Sequence, residues 1–143
     1  MDAFDADALI YAATDAPLGD RVRALFPEVA AEADEPTGIG SVLLLPEVLS
    51  KPTRRNDEDE VVALEDLLAG LDLLDVDADI AGLAVDLGAA YGLQTADAVH
   101  LATAVRVGAS RFITNNKRDF PQSIDEIDIT YPEDLPEPLA PFS

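Results

Sequence analysis

The stretch FDADALIYA, residues 4–12, carries the pattern that decides the fold: a short apolar strand ends at an acid, Asp5, and passes into a helix. An acid placed where an apolar segment runs out occurs three more times, at Glu47 in GIGSVLLLPEVLS, at Asp97 in GLQTADAVHLATA and at Asp119 in RFITNNKRDF. Carboxylates near buried chain ends are costly unless they are neutralised. Two of them about 4 Å apart repel by roughly 4 kcal/mol at an effective dielectric of 20. A hard divalent cation bound by oxygen ligands removes this cost, so the four acids predict a metal site.

Around these acids, segments with strand character alternate with segments of helical periodicity. The predicted strands are residues 2–5, 36–40, 111–114 and 127–130. Helices are predicted at residues 8–15, 21–32 (after a turn at 17–20), 41–50 (capped by Ser41 and terminated by Pro52), from 56 onward, 80–91 (stopped by Gly92) and 95–105 (capped by Thr95). Pro46 indicates either an early kink in the third of these helices or a later start.

This alternation predicts an α/β fold, with a mostly parallel central sheet covered by helices on both faces. Sites in such folds lie beyond the carboxyl ends of the strands, so we expect Asp5 and residues 114–116 to converge. The length of 143 residues predicts a single domain, residues 1–131. Four prolines in the last twelve residues predict an irregular tail at 132–143.

The charge of the chain is strongly negative, because 9 Lys and Arg face 29 Asp and Glu, for a net charge of −20. With 48% hydrophobic residues, the chain resembles the proteins of salt-loving archaea rather than a disordered acidic tail. In molar salt the Debye length is about 3 Å, which screens the repulsion of an acidic protein for nucleic acid. The absence of cysteine excludes disulfides and thiolate metal sites. Without a membrane-spanning or export segment, we expect a cytoplasmic protein.

Four segments, FDADALIYA, SVLLLPE, TADAVHLATAVRVGA and FITNNKRDF, together resemble the PIN-domain family of nucleases, including the VapC-type toxins of toxin–antitoxin pairs. This resemblance implies a three-layer α/β/α sandwich and an endoribonuclease that depends on Mg²⁺ or Mn²⁺ and leaves a 3′-hydroxyl and a 5′-phosphate. It implies that Asp5, Glu47 and Asp97 are metal ligands, directly or through water. It also implies RNA as substrate, a VapB-like antitoxin as partner and homodimerisation as a common state.

The last motif departs from the family pattern, because Asn116 stands where many members carry Asp. An amide can hydrogen-bond a metal-bound water but adds no charge. Other VapC-like members have Asn here with an acid three residues on, so the resemblance implies that Asp119 supplies the fourth carboxylate. Thr114 would hold the loop or a water through its hydroxyl. Asp7, which strand alternation would point away from Asp5, is expected to cap the helix or support the site.

Each proposed site residue also has a structural interpretation. Asp5 could cap the first helix, Glu47 could be a surface residue, and Asp97 could complement the dipole of its helix. His100, the one histidine, is interpreted as a helix-surface or packing residue.

Basic residues are scarce, yet five of the nine lie beside two predicted site segments. We expect them to contact RNA phosphates without reading sequence, and the alternative is ion pairing with neighbouring acids such as Asp57 and Glu58. The five are Lys51, Arg54, Arg55, Lys117 and Arg118.

Two other functions remain open from the sequence. The segment FDADALI also resembles the opening of haloacid-dehalogenase-type phosphatases, in which the first Asp is a nucleophile, although Glu47 would then have no role and Lys117 and Asp119 fit poorly. Alternatively, Asn116 could mark a catalytically silent PIN-fold module that binds RNA or protein.

Overall fold

The computed structural model describes residues 1–28 and 34–138. Its strands are β1 (Asp2–Phe4), β2 (Gly38–Ser41), β3 (Leu71–Leu74), β4 (Arg111–Ile113) and β5 (Asp128–Thr130). Its helices are α1 (Ala6–Ala12), α2 (Pro17–Arg23), α3 (Leu44–Arg54), α4 (Glu58–Ala69), α5 (Ala78–Tyr91) and α6 (Thr95–Arg106), followed by a 3₁₀ helix at Pro132–Asp134. In the described ranges, no helix is both long and apolar enough to cross a membrane.

The five strands form one sheet in the order β3-β2-β1-β4-β5, and every neighbouring pair is parallel. The register aligns Asp2 with both Gly38 and Arg111, which places β1 at the centre of the sheet. The prediction of an α/β fold with a mostly parallel sheet is confirmed. Strand β3 was not predicted, because its sequence LDLL is too short and too leucine-rich to show a strand period.

Helices cover both faces of the sheet, which confirms the three-layer α/β/α sandwich. Successive strand residues face opposite sides: Ala3 and Phe112 lie in a core with α5 and α6, whereas Phe4 and Ile113 lie in a second core with α1 to α4. Both cores are closed by fully buried aromatic and aliphatic side chains. The carboxyl ends of β1, β2 and β4 therefore open between two helical layers.

Two helix predictions near the amino terminus were wrong. The predicted turn at residues 17–20 is the start of α2, because Pro17 occupies the first helical position, where its fixed φ suits a helix and its missing N–H is not needed. The helix predicted for residues 21–32 ends at Arg23, and Pro27 disfavours helical conformation in the residue before it. Residues 29–33 lie outside the described part of the chain.

The third predicted helix is shifted towards the carboxyl terminus, and α3 spans Leu44–Arg54. Ser41 does not cap it but ends β2, where its hydroxyl accepts a hydrogen bond from the backbone N–H of Leu43 at 3.2 Å. The later start puts Pro46 in the first turn, where backbone N–H groups need no helical partner. The prediction that Pro52 ends the helix was wrong, since Pro52 is buried within it.

Other helix ends follow the sequence more closely. Asp57 caps α4 by accepting a hydrogen bond from the N–H of Glu60 at 3.2 Å, and Gly92 ends α5 in the left-handed conformation with φ 67°. Thr95 was predicted to cap α6 but is its first helical residue, and Gln94 occupies the cap position.

The segment predicted as an irregular tail begins with the short 3₁₀ helix. Leu135, the next residue, is buried in the second core. The guanidinium of Arg21 donates hydrogen bonds to the carbonyls of Glu133 at 3.2 Å and Leu135 at 3.1 Å. These contacts attach residues 133–135 to α2. Residues 139–143 lie outside the described part of the chain.

Candidate active site

Asp5 and Thr114 meet at the carboxyl ends of the neighbouring parallel strands β1 and β4. The N–H of Asp5 donates to the carbonyl of Ile113 at 2.9 Å, and the Thr114 hydroxyl donates to Oδ2 of Asp5 at 2.8 Å. Both residues are buried. Asp5 stands at the cap position of α1, yet its side chain makes no capping hydrogen bond. The structural interpretation of Asp5 as a helix cap therefore does not explain its carboxylate.

The Asp5 carboxyl lies in an environment that disfavours its charge. Burial, together with the negative charges of Asp7 and Asp97, raises its pKa to about 7, against the opposing effects of His100 and of the Thr114 hydrogen bond. Its Oδ1 is buried without a hydrogen-bond partner among the described residues. Such an orphaned buried acceptor is uncommon in a folded protein.

The charges of Asp7 and Asp97 act on Asp5, and those of Glu47 and Asp119 act on Asp7 and Asp97. Burial and the charges of Glu47 and Asp119 raise the pKa of Asp7. Burial and the charges of Asp119, Glu47 and Asp7 raise the pKa of Asp97. The four predicted acids and Asp7 thus form one group. We call it the acidic cluster: Asp5, Asp7, Glu47, Asp97 and Asp119. The expectation that alternation points Asp7 away from Asp5 was wrong, because residues two apart on a strand face the same side. In the structure Asp7 lies in the first turn of α1.

His100 belongs to this site, although it was interpreted as a helix-surface or packing residue. It is buried on α6, three residues after Asp97, and its Nε2 is hydrogen-bonded to Oε2 of Glu47 on α3. Burial alone would lower the pKa of His100, but the hydrogen bond with Glu47 and the charges of Asp5, Glu47 and Asp97 raise it above its ordinary value. The signal in the sequence was the i, i+3 spacing from Asp97, which puts both on one side of a helix.

The loop after β4 holds Asp119 through Asn116. The Asn116 side-chain amide donates to Oδ2 of Asp119 at 2.9 Å, and the N–H of Asp119 donates to Oδ1 of Asn116 at 3.2 Å. The N–H of Asn116 in turn donates to the Thr114 hydroxyl at 3.0 Å. Thr114 thereby joins the loop to Asp5, as predicted for its hydroxyl. Asn116 orients an acid and does not replace one.

The basic residues near the site divide into two groups. Arg55 pairs with Glu60 at 3.5 Å, Arg118 with Asp119 at 3.5 Å, and Lys117 with Glu133. Lys51 and Arg54 are exposed on the last turns of α3 and have no carboxylate partner within the described ranges. They follow Glu47 by four and seven residues, so all three lie along one side of the helix.

The donors of the acidic cluster suit a hard divalent cation, because they are carboxylate oxygens and one of them, Oδ1 of Asp5, is buried without a partner. In the part of the chain that the structure describes, no three acidic or histidine side chains already converge as a ready-made metal site. Oε2 of Glu47 is hydrogen-bonded to His100.

The fold and the site together define a three-layer α/β protein with an acidic cluster at the carboxyl edge of its parallel sheet. The model of the PIN domain family matches residues 3–124, and the chain belongs to this family. Membership leaves the haloacid-dehalogenase-type alternative without support.

Two solved structures share the fold. A chain of a toxin–antitoxin complex from Klebsiella pneumoniae is 23% identical, with a TM-score of 0.71, covering 92% of this chain and 98% of that one. A chain of VapBC2 from Rickettsia felis, bound to a DNA fragment from its promoter, is 17% identical, with a TM-score of 0.69, covering 91% and 97%. At these identities the likeness establishes the shared fold. No curated protein matches this chain in sequence.

Proposed function

We propose that the protein is a metal-dependent endoribonuclease that hydrolyses RNA phosphodiester bonds. The observation that carries the proposal is the acidic cluster, in which five carboxylates gather at the carboxyl edge of the sheet of a PIN-family chain. Such a gathering costs folding free energy, and groups with pKa values shifted by burial and like charge concentrate at functional sites. This function would operate in the cytoplasm, where RNA substrates are present.

In this proposal Asp5, Glu47 and Asp97 hold Mg²⁺ or Mn²⁺. Such an ion lowers the pKa of a bound water and stabilises negative charge on the scissile phosphate. Thr114 fixes the orientation of Asp5 by donating its hydroxyl to one carboxylate oxygen and leaves the other free. Asp119, held by Asn116, supplies the fourth negative charge.

Lys51 and Arg54 are the cations that we propose for contact with the RNA backbone. They follow Glu47 along α3, and neither forms an ion pair with a carboxylate among the described residues. Arg55, Lys117 and Arg118 would first have to leave their acidic partners, so their contribution should be smaller. Phosphate contacts of this kind position a strand without selecting its sequence.

The protein would act as the toxin of a type II toxin–antitoxin pair. One similar solved chain belongs to a toxin–antitoxin complex and another to VapBC2, which supports a small antitoxin as partner. An antitoxin that inserts a basic side chain among the acids, or lays a helix across them, would neutralise the cluster and exclude RNA. The contrasting context is a free-standing RNA-processing enzyme, which would copurify with no such partner.

Cleavage of RNA tests the proposal directly. The purified protein, in molar KCl with Mn²⁺, should cut a pool of structured RNAs, and EDTA should stop the reaction. Asp5→Asn should abolish cleavage, whereas Asp86→Asn, which removes an exposed charge from α5, should leave it intact. Absence of cleavage at high protein concentration would refute the nuclease function.

A thermal shift with Mn²⁺ separates a nuclease from a silent binding module. A ligand present at 100 times its dissociation constant stabilises a folded protein by about 2.7 kcal/mol. We expect such a shift for the wild-type protein and its loss in Asp5→Asn. A protein that binds RNA but shows no shift with Mn²⁺ would be the silent module.

A further inference from the structure

His100 joins two helices at the centre of the acidic cluster. Its side chain is fully buried, whereas the side chain of its partner Glu47 keeps 34% exposure. The two residues are 53 positions apart in sequence and lie on α6 and α3. Their hydrogen bond is the direct side-chain link between these helices at the site.

The two ring nitrogens of His100 are used unequally. Nε2 is bonded to Glu47, whereas Nδ1 is buried and has no partner among the described residues. A buried polar atom without a partner costs stability. A histidine that served packing alone would be better replaced by an apolar side chain of similar size, because that exchange would remove the unpartnered nitrogen. The polar edge towards Glu47 therefore explains the residue better than packing does.

Glu47 needs a restraint to remain at the site. It is a flexible side chain on the solvent-facing side of α3, and the like charges of Asp7 and Asp97 repel it towards water. A hydrogen bond from a rigid, buried ring opposes both the repulsion and the rotational freedom of the side chain. It engages one carboxylate oxygen, Oε2, and leaves Oε1 available.

We infer that His100 is a positioning residue that holds the Glu47 carboxylate at the acidic cluster, with Oε1 left to bind a divalent cation. This inference rests on the proposed function in so far as Glu47 is a metal ligand. Partners of metal-ligating side chains typically change metal affinity by about 10- to 100-fold when they are removed.

The test compares His100→Leu, which fills the site without a donor, with His100→Gln, whose side-chain amide can donate from a similar distance. Mn²⁺ affinity is measured from the electron paramagnetic resonance signal of free Mn²⁺. We expect affinity to fall by about 10-fold or more in the leucine variant and to be largely retained in the glutamine variant. Thermal melting of the metal-free variants checks that both are folded before their affinities are compared.

A double-mutant cycle with Glu47→Gln links the effect to its target. In the Glu47→Gln background, His100→Leu should cause little further loss of Mn²⁺ affinity, because nothing remains to be positioned. The inference is overturned if His100→Leu binds Mn²⁺ as the wild type does, or if the two losses simply add. A wild-type protein that binds no Mn²⁺ would instead refute the proposed function.

The hydrogen bond itself can be observed without metal, because the chain has a single histidine. The proton on Nε2 should be protected from exchange with water in the nuclear magnetic resonance spectrum, and Glu47→Gln should change its shift and exchange rate. Asp86→Asn is the control that should leave both unchanged. An unaltered His100 signal in the Glu47→Gln variant would overturn the positioning role.

Discussion

Replacing Asp5 by asparagine should stabilise the metal-free protein at neutral and alkaline pH. The substitution keeps the shape of the side chain and an acceptor for the Thr114 hydroxyl while it removes a buried charge. Because burial is the largest cause of the raised pKa of Asp5, the gain should persist in molar KCl, where charge–charge effects are screened.

The pKa values set the sign and size of this effect. The folded protein raises the pKa of Asp5 from 3.8 to about 7, so between these values the folded state binds more protons than the unfolded state. Stability from this group is therefore intact below pH 4, falls as the pH rises, and is fully lost above pH 7. Each pKa unit corresponds to about 1.4 kcal/mol, which bounds the loss at about 4 kcal/mol. Removing Asp5 also lowers the pKa of His100, which offsets part of this effect. We therefore expect Asp5→Asn to increase the free energy of unfolding above pH 7 by about 2 to 3 kcal/mol.

Urea unfolding of the metal-free protein at several pH values between 4 and 8 measures the effect. The stability of the wild type should fall across this range more steeply than that of Asp5→Asn. Asp86→Asn should run parallel to the wild type, because Asp86 is exposed. If the profiles of Asp5→Asn and the wild type coincide, Asp5 is not a buried acid that destabilises the metal-free protein.

Three further outcomes are expected. In a steady-state cleavage assay, Asp119→Asn should reduce RNA turnover at least tenfold, which corresponds to about 1.4 kcal/mol of activation barrier. Asn116→Asp in that background should restore part of the turnover. Unchanged turnover in Asp119→Asn would make Asp119 a turn residue. Changing Lys51 and Arg54 together to glutamine should weaken RNA binding, measured by fluorescence anisotropy. The slope of log affinity against log salt should become shallower by about 1.4, the value for two phosphates on a single strand. Arg106→Gln, at an exposed arginine that pairs with an acid, should have no effect. The melting temperature should rise as KCl increases from about 0.1 to 1 M, because the Debye length falls from roughly 10 Å to 3 Å around a chain of net charge −20. A flat curve would contradict adaptation to salt.

Local patterns in the sequence predicted most of the fold. Alternating strand and helix signals identified four of the five strands, and Gly92 was correctly predicted to stop α5. The errors arose where a local signal has two meanings. Pro17 and Pro46 both lie in the first turn of a helix, whereas Pro52 lies inside one. Only the position of the helix start distinguishes these cases.

The candidate site was predicted as far as residue type and position along the chain allow. The acids at Asp5, Glu47, Asp97 and Asp119 follow from their place at the ends of apolar segments, and Asp7 was included as a supporting residue. Its proximity to Glu47 and Asp119 could not be deduced, because it depends on how α1 packs in the fold.

The sequence by itself determined the α/β alternation, the excess of acid and the chemical type of the site, since these depend on residue identity and short-range periodicity. Only the tertiary structure decided which side chains meet. The parallel pairing of β1 with β4 brings Thr114 to Asp5 across 109 positions, and the packing of the two helical layers brings His100 to Glu47. Contacts between residues so far apart depend on strand order and helix packing, which no local pattern encodes.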